Sequence, residues 1–559
     1  MPRLVPGLVP ALAASALALT VALPAAAQSL LFLAEDVPAG LNYDGPAAAI
    51  PTSQTGMVNL MEPLFGYASA GENEDGIIVP NFDEFEGRLV ESWDYDPDTL
   101  TWTLNLRQGV MGCNGAEFTA DDVVYTFARA KSVSGAAPIG WFLSNVASID
   151  GFTPDVFGDE AARELGDEVV ALDDYTVQIR QSEPNALFLP VMTIFGLHIF
   201  DAEEMNANAT DDDPWAHDYT NNVNVPSFGP YCLESWTKNE EIVFTANPDY
   251  YLGAPAIERV VMRRVPQSSN RVVVLQTGQA QLAQALTPRE YDSLRDAAGV
   301  AVGGVTGNEN LFVHMNFDVP PFDNPLVRQA VAHAMPYDQI IANGYFGQAE
   351  RWPGVVPSGY PGFHLSDNQY DQDPDQAAEL LAEAGYPNGE GLDAYGDAFA
   401  LTYVAEKEST LGPIVNAIQT ALREVGFPVT LNPIPQTQYG DRQLVQRDLP
   451  FAVNDQEKPI GVDAGYAIQL FFVSPEAGGL NNMVNYRNED VDATWGQARV
   501  EPDTETRNAQ VAEIQDQLMA DVAWLPVVEY RTQWAFADDL NGMRWHPDNS
   551  VRFYDLSFE

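Results

Sequence analysis

The stretch Thr101-Trp102-Thr103-Leu104-Asn105-Leu106-Arg107 alternates strictly between polar and apolar residues. Trp102, Leu104 and Leu106 fall on one face, the pattern of a strand buried on one side. A turn over Gly112 to Gly115 follows, and then Thr119-Ala120-Asp121-Asp122. That tetrad predicts a capping box, in which the Thr119 hydroxyl accepts from the third helical amide and Asp122 reaches back. Val123, Val124, Phe127 and Ala128 extend it as a helical stripe.

Outward from this block the pattern repeats with different spacings. Tyr175, Val177 and Ile179 mark another strand, Pro184 breaks it, and Asp211-Asp212-Asp213-Pro214 reads as a solvated loop. Pro325 takes the first position of a helix whose core face is Val327, Ala330, Val331 and Ala334. Asp373-Pro374 opens a second helix, with Ala377, Leu380, Leu381 and Ala384 on one side and Gly385 at its end. A helix over 413–425 and a strand over 429–431 follow. No repeat of 20–50 residues appears. The prediction is a mixed α/β fold with long-range connections.

The chain has 559 residues, 46 % of them apolar, which supports a globular core. Eighty acids against 27 bases give a formal charge of −53, and such a surface repels phosphates and anionic lipids. Nucleic-acid and membrane-surface roles are therefore not expected. Only four bases are lysine, namely Lys131, Lys238, Lys407 and Lys458, a balance that suits solubility in salt. Arg3, an apolar run over 8–23 and Ala25-Ala26-Ala27 before Gln28 predict a cleaved signal peptide over 1–27. No cysteine follows the cleavage site, so no lipid anchor is expected. In a bacterium with two membranes the mature protein is expected in the periplasm.

The only cysteines are Cys113 and Cys232. Export permits a bridge between them. Nothing in the sequence fixes their separation, and two buried thiols fit as well. The six histidines are scattered, and no nucleophile elbow or phosphate-cradling loop occurs. Asp371, Asp373 and Asp375 open like a calcium loop, but Gln376 and Ala382 stand where glycine and a bidentate glutamate are needed. A helix cap is the better reading. No metal, no cofactor and no catalysis are expected.

Several collinear blocks resemble the peptide-type substrate-binding proteins of ABC importers, solute-binding family 5, which includes oligopeptide and dipeptide binders. They begin with Leu89-Val90-Glu91-Ser92-Trp93, then TWTLNLRQGV from Thr101 and GAEFTADDVV from Gly115. VVALDDYTVQI from Val169, Phe228-Gly229-Pro230-Tyr231 and Asn247-Pro248-Asp249-Tyr250-Tyr251 continue the series. PFDNPLVRQAVAHA from Pro321, AAELLAEAGYP from Ala377, Asn485-Tyr486-Arg487-Asn488 and Leu525-Pro526-Val527 complete it.

The resemblance implies an α/β periplasmic-binding-protein fold of two lobes, with two hinge crossings near 282–286 and 525–529. The first lobe would comprise 28–65, 215–285 and 526–559, with an extra domain inserted over 66–214; the second would comprise 286–525. A peptide or other small solute would be trapped between the lobes by a monomer and handed to the membrane permease subunits. Oligosaccharides, opines and metal chelates are alternative cargoes, and an exported hydrolase is the second functional class.

In the oligopeptide binders a Trp-x-x-Asp segment supplies an aspartate for the peptide's ammonium group. Here the corresponding stretch is Ala452-Val453-Asn454-Asp455-Gln456-Glu457, and the Trp is absent. Val462-Asp463-Ala464-Gly465-Tyr466 resembles the family's continuation. Asn454, Asp455, Asp463 and Tyr466 are thus candidate ligand contacts, with Asp455 or Asp463 as the ammonium partner. Thr52, Ser53 and Gln54, ahead of a helix around 59–64, are expected to border the cleft. Trp141 is an aromatic candidate there, with a core tryptophan as the plainer reading.

Overall fold

The structure is a computed structural model and describes residues 28–43, 51–130, 139–149 and 167–559. The expected signal peptide over 1–27 lies outside the described residues. Strand β1 (Ser29–Ala34) opens the first half, and α1 (Pro51–Leu60) packs over it. An excursion follows. In it β2 (Phe65–Glu72) pairs with β3 (Ile78–Gly87), while β4 (Val90–Asp96), β5 (Thr101–Leu106), β6 (Val169–Asp173) and β7 (Thr176–Arg180) form an antiparallel sheet ordered β4-β5-β7-β6.

The expected alternation places Leu104 and Leu106 in the core, while Trp102 donates to Gln181 Oε1 at 2.9 Å and stacks on Phe188. Helix α2 (Ala120–Ala130) forms the return half of its expected cap: the Thr119 amide donates to Asp122 Oδ2 at 2.8 Å. The outward half differs. The Thr119 hydroxyl is itself a donor to that carboxylate (3.4 Å), so the Asp122 amide turns to the Thr119 carbonyl instead.

Ten further strands are β8 (Tyr231–Thr237), β9 (Glu241–Ala246), β10 (Arg259–Arg264), β11 (Leu282–Ala283), β12 (Val300–Met315), β13 (Ala349–Arg351), β14 (Ala400–Val404), β15 (Thr430–Ile434), β16 (Phe451–Asn454) and β17 (Leu525–Ala537). With β1 they form one 11-stranded sheet, ordered β15-β14-β16-β12-β17-β11-β1-β10-β9-β8, with β13 attached to β17. The long antiparallel pair β12 and β17 belongs to both halves. Its upper part, Val300–Thr306 against Arg531–Ala537, adjoins β11 and β1, and its lower part, Asn310–Val313 against Leu525–Glu529, adjoins β16. Between them residues 307–309 oppose Tyr530 alone, a bulge that bends the ladder.

Of the expected crossing at 282–286, Leu282 and Ala283 form β11, which lies in the sheet between β1 and β17. A bulge depends on pairing between distant strands, so no local signal marked it. The expectation for 525–529 falls on β17 immediately beside the same break.

The helix expected over 413–425 runs over Glu408–Val425, with Pro413 inside it. Proline forfeits one backbone donor. Leu411, Ile414, Val415 and Ile418 carry the buried stripe across that gap. Cys113 and Cys232 are joined by a disulfide, with Cα atoms 5.7 Å apart, and the bridge ties the excursion to β8.

Candidate ligand-binding cleft

Parallel strands β14, β15 and β16 end together at Val404, Ile434 and Asn454. Open α/β sheets bind ligands at such carboxyl ends. The loop after β16 is folded by Asn454, whose Oδ1 accepts from the amides of Gln456 (2.8 Å) and Glu457 (3.2 Å). Asn454 itself is fully buried.

Three acids lie between Asn454 and Tyr466, and two are already held by cations. Asp455 pairs with Lys407 Nζ at 2.9 Å. Asp463 caps the helix Ala464–Phe471 through the Gly465 amide, and both its oxygens receive Arg507, at 2.6 and 3.1 Å. Among the described residues no cation lies within ion-pairing distance of Glu457. Burial pushes its carboxyl up to about 7, with neighbouring Lys458 pulling the other way. Lys458 instead holds Glu309 at 2.6 Å, where the Tyr530 hydroxyl and the Asn549 amide also donate. Burial works to raise Glu309, but Lys458 foremost overcomes it and keeps that carboxyl below its ordinary value.

Glu309 sits in the bulge. Its neighbour Asn308 donates to Tyr360 Oη (3.0 Å), the Pro459 carbonyl (3.2 Å) and the Pro547 carbonyl (2.6 Å). Segments from both halves therefore meet at one fully buried amide. Further out, the excursion touches the second half directly. Trp141, buried, donates to the Gly478 carbonyl at 3.1 Å; Phe142 stacks on buried Tyr466, ring centroids 6.2 Å apart; and Arg499 pairs with Glu183.

Thr52, Ser53 and Gln54 lie in the first turn of α1 and are buried. Val58 and Asn59 in the second half of that helix, and Glu62 just beyond its end, border a cavity together with Tyr67, Trp545 and, from the second half of the molecule, Ile460. Asn454, Asp455, Asp463 and Tyr466 stand among the candidates named from the sequence; their neighbours Lys407, Lys458, Arg507 and Glu309 do not. The one available signal was lysine scarcity, since two of only four lysines converge here. Among the described residues no cluster of three or more His, Cys, Asp or Glu could hold a metal.

The sequence of the bacterial extracellular solute-binding proteins, family 5 Middle, matches residues 84–472, and the chain belongs to that family. It is 23 % identical over 466 residues to the probable D,D-dipeptide-binding periplasmic protein DdpA of Escherichia coli K12, covering 83 % of each chain. Its fold is similar to that of the periplasmic binding protein DppA from Helicobacter pylori in complex with the peptide STSA, with a TM-score of 0.75, 21 % identity and coverage of 95 % and 98 %. The binding protein MoaA of A. tumefaciens R10, in complex with mannopinic acid, is similar at a TM-score of 0.75, 24 % identity and coverage of 96 % and 100 %. These relatives share the two-lobed periplasmic-binding-protein architecture. No helix among the described residues is long and apolar enough to cross a membrane.

Proposed function

We propose that the protein captures a small peptide bearing a free ammonium group between its lobes and delivers it to an ABC permease. Family membership supports the transport role, and the named cargoes of its relatives support the peptide class. The observation that carries the cargo reading is Glu457: of the three acids of 454–466 it is the one without an ion-pair partner among the described residues, and partial burial raises its carboxyl. An incoming ammonium would supply that partner and favour the charged form. On this reading Asp455 and Asp463 serve as structural members of the cleft wall.

Lobe closure would bend the sheet at 307–309 and Tyr530, the excursion over 66–214 moving with the first lobe. The mature chain would begin near Gln28, act in the periplasm as a monomer, and carry no lipid. A non-peptide cargo is the second reading, favoured by the two expected acids being already paired.

The test is mass spectrometry of whatever co-purifies from periplasmic expression, followed by calorimetric titration of that compound. An ammonium-bearing peptide that loses at least tenfold in affinity on Glu457→Gln supports the reading. Unchanged affinity, or a cargo without an amine, overturns the peptide assignment and leaves the family.

A further inference from the structure

The cavity beside α1 has a wall that the peptide reading does not use. Between α1, β2 and the chain's C-terminal segment lie His198, His546, Arg552 and Arg88. His198 is fully buried, and neither ring nitrogen has a hydrogen-bond partner. His546 Nε2 and Arg552 Nε are likewise shielded from solvent and unpartnered. Burial, with Arg552 and Arg88 nearby, holds the His198 ring neutral, well below its ordinary value; a neutral imidazole still carries one N–H. Arg552 spends one terminal nitrogen on Asp548 at 2.9 Å, which leaves the Nε–H unused.

Buried donors without acceptors are rare in folded proteins, and here they line a single cavity. We infer that this wall takes a carboxylate group, its oxygens accepting from Arg552 Nε and from the rings of His198 and His546. Charge narrows the class. Arg88, Arg544 and Arg552 face four carboxylates in the lining, and each arginine already has an acidic partner. A dianion such as phosphate would meet that acidic surplus. A singly charged, planar group with two acceptor oxygens fits the spare donors and adds the least repulsion. The group could arrive as the acid end of the cargo, which rests on the reading above, or as a free small acid.

Histidine-selective ¹³C labelling of the full mature chain separates these cases, because there are only six histidines to resolve. Acetate is titrated to about 0.2 M against chloride at equal ionic strength (a screening length of only several Å), and the dipeptide Met-Leu is compared with its C-terminal amide. The expected result is a saturable displacement of the His198 and His546 signals by acetate. It should weaken at least fivefold in Arg552→Gln and vanish at His546 in His198→Phe, with circular dichroism confirming that both variants fold. Displacement by Met-Leu but not by its amide assigns the group to the cargo; displacement by acetate alone assigns a free acid. No saturable displacement by either probe, or equal movement of all six signals, overturns the site. Acetate requires no peptide binding, so failure of the cargo reading leaves this result interpretable.

Discussion

Lys407 Nζ lies 2.9 Å from Asp455 Oδ1, joining the ends of two strands that share a ladder, β14 and β16. The same loop holds a second pair, Asp463 with Arg507, and the two differ in their exposure to water. The Lys407 side chain is 37 % exposed, whereas that of Arg507 is 6 % exposed.

That difference sets unequal costs. Asp455→Asn leaves a lysine that water can reach, so the loss should stay within about 1 kcal/mol. Asp463→Asn strands a buried guanidinium, which costs about 3–5 kcal/mol. Urea unfolding of the two variants should show a small shift in midpoint for the first and a large one for the second.

Glu457 gives the unliganded protein a particular pH response. Its folded carboxyl titrates near 7 against an ordinary value of 4.5, so the folded state binds the proton more tightly. Stability therefore falls as pH rises from about 4.5 to 7 and levels off above. Glu457→Gln should remove that component, leaving a flatter profile of melting temperature between pH 5 and 7. An ammonium-bearing cargo should expel the proton at pH 6, read by calorimetry in two buffers of different ionisation enthalpy.

The expectations from sequence were strongest where pattern and structure are local. The helix Pro325–Ala334 begins at its expected proline, and the helix Pro374–Glu383 is capped by Asp373, whose side chain accepts the Gln376 amide. The bulge at 307–309 left no such trace, because it arises from pairing with residues more than 200 positions away. The acids of the cleft loop were visible, but their state was not: Lys407 and Arg507 stand 48 and 44 positions from the carboxylates they hold. A charged residue announces itself in sequence, and its neutralisation does not.

The bridge between Cys113 and Cys232 closes a loop with a sequence separation of 119. Chain entropy alone gives such a cross-link about 4–5 kcal/mol of stabilisation. Replacing both cysteines by serine should lower the unfolding midpoint markedly, while the wild type under reducing conditions should match the double variant. Equal midpoints for oxidised and reduced wild type would rule out a stabilising role.

A formal charge of −53 makes self-repulsion general. Raising sodium chloride from 0.01 to 1 M shortens the screening length from about 30 to 3 Å. The melting temperature should climb across that range, and scanning calorimetry in a salt series checks it. A flat curve would mean the acids are too dispersed to oppose folding.

The bulge in the shared sheet separates two properties that binding proteins often hold together. On the proposed reading, selectivity would reside in the loop after β16, whereas the free energy of bending would reside in the bulge at 307–309, where the backbone and not a cargo contact sets the bend. Gly307 packs its backbone against the Trp545 indole, leaving no room for even a methyl group. Apparent affinity is the intrinsic affinity scaled by the fraction of molecules in the competent geometry. Small changes at the bend would thus reset the concentration at which uptake begins for every cargo alike, preserving their rank order. Scavenging threshold and diet would then be independently adjustable traits of a single polypeptide.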